Sequence, residues 1–132
     1  MYPDSPLEGY GGYRAVNVSA QTAQATPVQL VLMLFDGLLE ELARLRMHVQ
    51  HQRYELKARS IEKCVDILTG LSSALEADDD NEVVANLGRL YEYCAMRLNK
   101  AGFEMDPAIL DEVVRLVSTL RIGWQGVSDA HA

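Results

Sequence analysis

Apolar residues recur every three or four positions in four separate stretches of the chain, which is the spacing of one buried face of an α-helix. The first stretch follows Thr26, Pro27 and Gln29, a capping box with proline at the first helical position. Its apolar stripe consists of Leu30, Leu34, Leu38, Leu42, Leu45 and Val49. The pattern therefore predicts a long amphipathic helix that begins after Thr26.

The second stretch begins after a lapse in the pattern between residues 51 and 60, where neither glycine nor proline marks a turn. The position of the first turn is therefore left open. The second stripe consists of Ile61, Cys64, Val65, Leu68, Leu71 and Leu75. The acidic run from Asp78 to Asn81 ends it. We interpret this run as a solvated turn in which Asp79 or Asp80 caps the next helix.

The third and fourth stretches have clearer boundaries. The third stripe consists of Val83, Val84, Leu87, Leu90, Tyr91, Cys94, Leu98 and Ala101, and Gly102 after Lys100 predicts its end. Asp106 and Pro107 predict the start of the fourth helix. Its stripe consists of Ile109, Leu110, Val113, Val114, Leu116, Val117, Leu120 and Trp124.

Four amphipathic helices of about 20 to 25 residues, joined by short turns, predict an all-α protein, an antiparallel four-helix bundle. We expect the bundle to occupy residues 26–127. A leader, residues 1–25, precedes it, and a tail, residues 128–132, follows it. The leader holds the stretch "LEGYGGYRAVNVSAQTAQ", in which Tyr10 and Tyr13 stand among glycines. We expect this segment to be flexible.

Composition narrows the function classes. The net charge of −7 argues against coating DNA or RNA, which requires a basic surface. A local excess of basic residues between Arg44 and Lys63 is interpreted as a solvated helix face. No apolar run reaches the roughly 18 residues that a membrane span needs, and the N-terminus lacks a signal-peptide pattern. We expect a cytoplasmic protein without membrane insertion, in which Cys64 and Cys94 are buried free thiols, with a disulfide between them as the less favoured alternative.

Residues for catalysis are not found in the sequence. A four-helix di-metal enzyme needs two Glu-x-x-His pairs, and none of His48, His51 and His131 follows a glutamate at that spacing. There is no phosphate-binding loop and no nucleophile–base motif. Three acidic residues of the first helix are interpreted as solvent-facing: Asp36, Glu40 and Glu41. We therefore expect a binding protein without enzymatic activity, cofactor or metal.

Two features indicate where a partner binds. Gly37 lies within the first helix, where glycine costs about 1 kcal/mol relative to alanine. Close helix packing and the approach of a partner's backbone explain it equally well. Tyr93 lies off the third stripe, so we expect it to be partly exposed, with its hydroxyl in water and its ring able to contact a partner. A tyrosine at the boundary of the core is an equal alternative.

The order of these motifs resembles the flagellar secretion chaperones, the FliS family. The resemblance begins at Tyr13, Val16 and Val18. It continues through "ATPVQLVLMLFDG", "SIEKCVDILTGLSSAL" and "VVANLGRLYEYCAMRLNKA", and it closes with "DPAILDEVVRL" and Trp124. Members usually carry a Gly-Gly pair before the third helix, where this chain has Asp80 and Asn81.

The resemblance implies a non-enzymatic export chaperone in the bacterial cytosol. Such a chaperone binds the disordered C-terminal segment of flagellin, prevents its premature polymerisation and assists its delivery to the flagellar type III export apparatus. Export-gate and other flagellar regulatory proteins are further expected partners. The client-free protein is expected to be a monomer or a weak homodimer.

The resemblance also implies site residues. The N-terminal segment is expected to pack on the bundle and cover part of the client groove through Tyr10, Tyr13 and Val16. For the groove itself we predict Leu34, Gly37, Leu87, Leu90, Tyr91, Tyr93 and Leu98. Two alternatives remain, a generic helical adaptor or dimerisation module and, less favoured, a metal-dependent four-helix enzyme.

Overall fold

The computed structural model describes residues 24–75 and 81–130. They form four helices, α1 (Pro27–Gln50), α2 (Tyr54–Leu75), α3 (Glu82–Glu104) and α4 (Pro107–Ala130). No strand occurs within these two ranges, so the all-α prediction is confirmed. The predicted leader residues Tyr10, Tyr13 and Val16 lie outside the described residues.

The helices form an antiparallel bundle in which each packs against two neighbours. Helices α1 and α3 both pack against α2 and against α4. Between α1 and α2, Gly37 lies opposite Ile67, whereas the later Glu41 bonds to the earlier Ser60. Residue numbers therefore rise along α1 as they fall along α2, which is the antiparallel order that short connections impose.

Helix α4 is tied to both of its neighbours by ion pairs between arginine and carboxylate. The three pairs join Arg46 Nε to Asp111 Oδ1 (2.8 Å), Arg121 Nε to Asp36 Oδ1 (2.6 Å) and Arg97 Nε to Glu112 Oε1 (2.7 Å). Because these side chains are partly exposed, each pair adds little stability. The three pairs can form together only at one rotation of α4 about its own axis and one position of α4 along the bundle axis.

The core lies along the bundle axis and is formed by the predicted stripes. The largest fully buried apolar side chains are Phe35, Leu38, Leu42, Leu45, Leu71, Tyr91 (2% exposed), Leu98, Leu110, Val113 and Val117. Both cysteines are buried free thiols. Burial raises the pKa of Cys64 to about 12 and that of Cys94 to about 11, so neither thiol is reactive at neutral pH.

The turn between α1 and α2, which the pattern left open, is built without glycine. Gln52 adopts the left-handed conformation, with φ of 55°. The Arg53 N–H donates to the His48 carbonyl at 2.9 Å and the Gln52 N–H donates to the Val49 carbonyl at 3.2 Å. These two bonds form a Schellman motif. Helix α2 then begins at Tyr54, well before its apolar stripe.

Gly102 does not end the third helix, so that prediction is wrong. Helix α3 continues to Glu104, and the left-handed residue after it is Met105, with φ of 53°. Gly102 is buried inside the helix, where a Cβ atom would collide with the Ile61 side chain of α2. Its carbonyl accepts a hydrogen bond from Lys57 Nζ at 3.0 Å. The glycine therefore permits close packing of α2 against α3.

Side chains cap three of the four helices at their starts. The capping box of Thr26 and Gln29 is confirmed, with bonds of 2.9 and 3.1 Å between side chain and backbone. Asp106 caps α4 as predicted, through the N–H of Ala108 at 2.9 Å. Helix α3 is capped by Asn81, which accepts from Val83 at 2.8 Å, so the assignment of this cap to an aspartate is corrected.

Candidate functional site

The predicted groove residues divide into surface and core positions. Tyr91 and Leu98 belong to the buried core, so the folded bundle does not present them to a partner. The other five reach the surface: Leu34, Gly37, Leu87, Leu90 and Tyr93. A partner contact at these five positions stays a prediction.

Two apolar grooves lie at the same end of the bundle, where α1 and α3 begin and α2 and α4 end. The first, the α3–α4 groove, has a volume of about 290 Å³. It is lined by Val83, Leu87, Thr119, Leu120, Gly123, Trp124 and Val127. These walls carry no charged side chain, so the α3–α4 groove is suited to an apolar occupant.

The second, the α1–α2 groove, has a volume of about 240 Å³. It is lined by Pro27, Val28, Leu30, Val31, Leu34, Ala74 and Trp124. Trp124 is thus common to both grooves, and we call this end of the bundle the Trp124 end. Leu34 and Leu87, two of the predicted residues, each line one of the grooves.

Trp124 is held by a hydrogen bond to the core. Its indole N–H donates to the Tyr91 hydroxyl oxygen at 3.2 Å. Tyr91 contacts Phe35 edge to face, with ring centroids 6.3 Å apart. Burial raises the pKa of Tyr91, so its hydroxyl is protonated at neutral pH. Tyr91 therefore supports the wall of the grooves from inside, although it does not line them.

Tyr93 is exposed, and its hydroxyl forms a hydrogen bond at the surface of the bundle. The hydroxyl donates to Glu112 Oε2 at 2.6 Å, and Arg97 Nε donates to the other oxygen of the same carboxylate at 2.7 Å. These bonds, first that of Tyr93 and then that of Arg97, lower the pKa of Glu112. The Tyr93 ring remains partly exposed at the junction of α3 and α4.

The packing around Gly37 leaves room for a side chain larger than that of glycine. A Cβ atom built there would lie 3.9 Å from Ile67 Cδ1, an ordinary van der Waals distance. Helix packing therefore does not require glycine at this position. The approach of a partner's backbone stays a prediction.

Glu41 is buried, at 5% exposure, so the prediction that it faces solvent is wrong. Its carboxylate accepts a hydrogen bond from Ser60 Oγ at 2.5 Å and another from Arg44 Nε at 3.0 Å. The other two acidic residues of that prediction are exposed. The spacing carried a signal, because Glu41 falls between Leu38 and Leu45 at the three- and four-residue steps of the apolar stripe.

The opposite end of the bundle carries exposed apolar side chains that the sequence analysis did not single out. Phe103 is 90% exposed, and Met96 and Tyr54 are also exposed. Met96 and Phe103 are seven residues apart on α3, away from its buried stripe. That spacing was the available signal, since two large apolar residues on a polar helix face stand out.

Within residues 24–75 and 81–130, no three histidine, cysteine or acidic side chains cluster closely enough to hold a metal ion. His48 Nδ1 is buried without a hydrogen-bond partner, and desolvation lowers the pKa of this histidine. His51 Nδ1 lies 3.0 Å from the Met47 carbonyl oxygen. Among the described helices, none combines the length and hydropathy that crossing a membrane requires.

A family model described as "Flagellar protein FliS" matches residues 9–131. The chain belongs to the FliS family. The flagellar secretion chaperone FliSB of Pseudomonas aeruginosa is 37% identical over 116 residues, which cover 88% of this chain and 92% of that protein. The flagellar secretion chaperone FliS of Salmonella typhimurium is 31% identical over 129 residues, covering 97% and 93%. The resemblance of the sequence motifs is thereby confirmed.

Curated relatives extend across other genera. The flagellar secretion chaperone FliS of Vibrio cholerae is 28% identical over 115 residues, covering 87% of this chain and 85% of that protein. The family-model match, over residues 9–131, includes all four helices and the residues that line both grooves. The FliS-family chain is thus a four-helix bundle with two apolar grooves that share Trp124.

Proposed function

We propose that this FliS-family protein is a cytoplasmic export chaperone for flagellin. It binds the disordered C-terminal segment of flagellin, prevents its premature polymerisation and assists its delivery to the flagellar type III export apparatus. The observation that carries the proposal is the pair of apolar grooves at the Trp124 end, in a chain whose curated relatives are named flagellar secretion chaperones.

The chemistry of the grooves supports a helical client. An amphipathic helix binds such a groove by burying apolar side chains at three- and four-residue steps. A disordered segment must lose conformational entropy when it orders, so it needs a large apolar contact area to bind. Two grooves that share a wall supply more area than either alone. Once buried there, the apolar side chains of the client cannot associate with a second client.

The residues before Gln24 are the proposed competitor for the grooves. They lead directly into α1, whose first residues Pro27 and Val28 line the α1–α2 groove. We assign the covering contacts to Tyr10, Tyr13 and Val16, within a leader of residues 1–25, ahead of a bundle domain of residues 26–127 and a tail of residues 128–132. A client displaces the leader when its affinity for the grooves is higher.

Deleting residues 1–18 tests the leader. We expect tighter client binding by calorimetry and stronger fluorescence of anilinonaphthalene sulfonate, a probe of exposed apolar surface. Unchanged client affinity together with unchanged probe fluorescence would contradict a covering leader.

Sedimentation of the full-length protein and of the deletion variant tests the proposed monomer or weak homodimer. A stable dimer that the deletion disrupts would favour the adaptor alternative.

The chaperone acts by binding, and no residue is assigned a catalytic role or a cofactor. Delivery requires a further contact with the export gate, which we propose is made by the chaperone–client complex. Mixing the export-gate cytoplasmic domain with chaperone, client or both distinguishes these cases. Retention of the complex alone supports the proposal, whereas equal retention of free chaperone contradicts it.

Client binding is tested by calorimetry of the full chain with a peptide from the flagellin C-terminus. Val28→Glu and Val83→Glu each place a charge in one groove. Both lie in the first turn of a helix, where negative charge favours the fold. We expect each to weaken binding about tenfold or more, since an unpaired charge is costly in an apolar groove.

Phe103→Glu is the matched control, because it introduces the same charge at the opposite end of the bundle. We expect its affinity to stay near that of the unaltered protein. Loss of binding in Phe103→Glu, with normal binding in both groove variants, would move the client to the opposite end. Absence of binding by the unaltered protein would overturn the proposed function itself.

A further inference from the structure

Among the residues that the structure describes, Trp124 is the one that lines both apolar grooves. In the α3–α4 groove Trp124 stands beside residues of α3 and α4, and in the α1–α2 groove it stands beside residues at the start of α1 and Ala74 of α2. A shift of the ring therefore changes the width of both grooves together. What holds the indole in place also sets the shape of both grooves.

The group that holds it is the hydroxyl of Tyr91, which accepts the indole N–H at 3.2 Å. Tyr91 is itself immobilised, because only 2% of it is exposed and it packs edge to face against the fully buried Phe35. Interiors are close-packed, so Tyr91 cannot follow a displaced indole. Trp124 is only partly buried and can turn towards water when the acceptor is lost.

We propose that Tyr91 is a positioning residue for both grooves. By fixing the Trp124 indole, its hydroxyl sets the widths of the α3–α4 groove and the α1–α2 groove. It thereby selects which pair of apolar side chains a client helix inserts on the two sides of the ring. The inference about shape stands on the contacts of the two residues, and the identity of the client rests on the function proposed above.

Removing the hydroxyl leaves an indole N–H without an acceptor. A partly buried N–H avoids the cost of losing its hydrogen bond by reaching water. The ring then leaves the position in which it separates the grooves. Tyr91→Phe keeps the aromatic packing against Phe35 and removes one oxygen, so the bundle is expected to remain folded.

Trp124 is the only tryptophan of the chain, so its fluorescence reports on this ring alone. In the full-length Tyr91→Phe protein we expect acrylamide to quench the emission about twofold more strongly, because the ring becomes more accessible to solvent. Tyr93→Phe is the matched control, because it removes a tyrosine hydroxyl from the same helix. That hydroxyl bonds to Glu112 and not to Trp124. It should leave the quenching unchanged.

Binding distinguishes positioning from a merely structural role. With the flagellin C-terminal peptide, we expect Tyr91→Phe to weaken affinity about fivefold while the urea dependence of unfolding keeps its slope. In a Trp124→Phe background, Tyr91→Phe should have no further effect, because the hydroxyl acts through the indole. An equal loss in both backgrounds would overturn the proposal, as would quenching in Tyr91→Phe that equals that of the unaltered protein.

The two proposals fail in different ways. If the peptide binds neither protein but Tyr91→Phe changes both the quenching and the binding of anilinonaphthalene sulfonate, the flagellin assignment is wrong and the positioning role is supported. If the peptide binds both proteins equally and the quenching is unchanged, the positioning role is wrong and the chaperone function is retained.

Discussion

Replacing Ser60 by alanine tests the buried polar contact between α1 and α2. Ser60 and Glu41 are both buried, at 3% and 5% exposure, and the serine hydroxyl donates to the carboxylate at 2.5 Å. The substitution leaves Glu41 Oε2 in the interior without this donor, while the Arg44 bond to the other oxygen remains. The space left is no larger than one hydroxyl group.

The expected cost follows from the charge of the acceptor. A hydrogen bond to a charged group contributes about 1.5–3 kcal/mol, and the better helix propensity of alanine returns about 0.5 kcal/mol. We therefore expect Ser60→Ala to lower the free energy of unfolding by about 2 kcal/mol. With a typical slope for a chain of this size, the urea midpoint falls by about 1 M.

Urea unfolding at pH 7, followed by far-ultraviolet circular dichroism, measures this loss. Ser73→Ala is the matched control, because Ser73 is an exposed serine of the same helix. We expect it to change stability by no more than about 0.5 kcal/mol. Combining Ser60→Ala with Glu41→Leu removes both polar partners and should restore stability to within about 1 kcal/mol of the original. The reasoning fails if Ser60→Ala is as harmless as Ser73→Ala.

Three further predictions concern single positions. Gly37→Ala should raise the free energy of unfolding by up to about 1 kcal/mol in the same urea assay, and a loss would show that Ile67 cannot accommodate the new methyl group. Gln52→Gly should raise the thermal midpoint by about 3 °C by relieving the left-handed conformation, and an unchanged or lower midpoint would contradict this. Folding lowers the pKa of His48 from 6.5 and that of Glu112 from 4.5, so the unfolded chain binds each proton more tightly than the folded protein does. The free energy of unfolding, measured by urea titration, should therefore fall as the pH drops below 6.5 and fall again below 4.5. His48→Gln should remove the first decrease alone, and an identical profile would assign that decrease to another group.

The four helices and two of their caps were predictable because the signals are local. Thr26, Gln29 and Asp106 bond within their own first turns, so a few neighbouring residues contain the whole interaction. The buried stripes likewise follow from helical spacing. Order and length of the elements then leave an antiparallel bundle as the compact solution.

Turns and glycine positions are less predictable from sequence, because the same residue type serves different structural purposes. Gln52 occupies a left-handed position that usually selects glycine, so the first turn has no signal in the sequence. Gly102 looks like a helix end, yet it lies inside α3 where Ile61 of α2 packs against it. The close approach of a second helix is not visible in the residues around Gly102.

Local spacing in the sequence determined the four amphipathic helices and most of the core, whereas the FliS family was indicated by the resemblance of its motifs. Tertiary structure alone decided that Glu41 meets Ser60 and that Trp124 separates two grooves while bonding to Tyr91. The physical reason is distance along the chain. The α1–α2 groove is lined by Pro27, Ala74 and Trp124 among others, and these three residues become neighbours only after the helices pack.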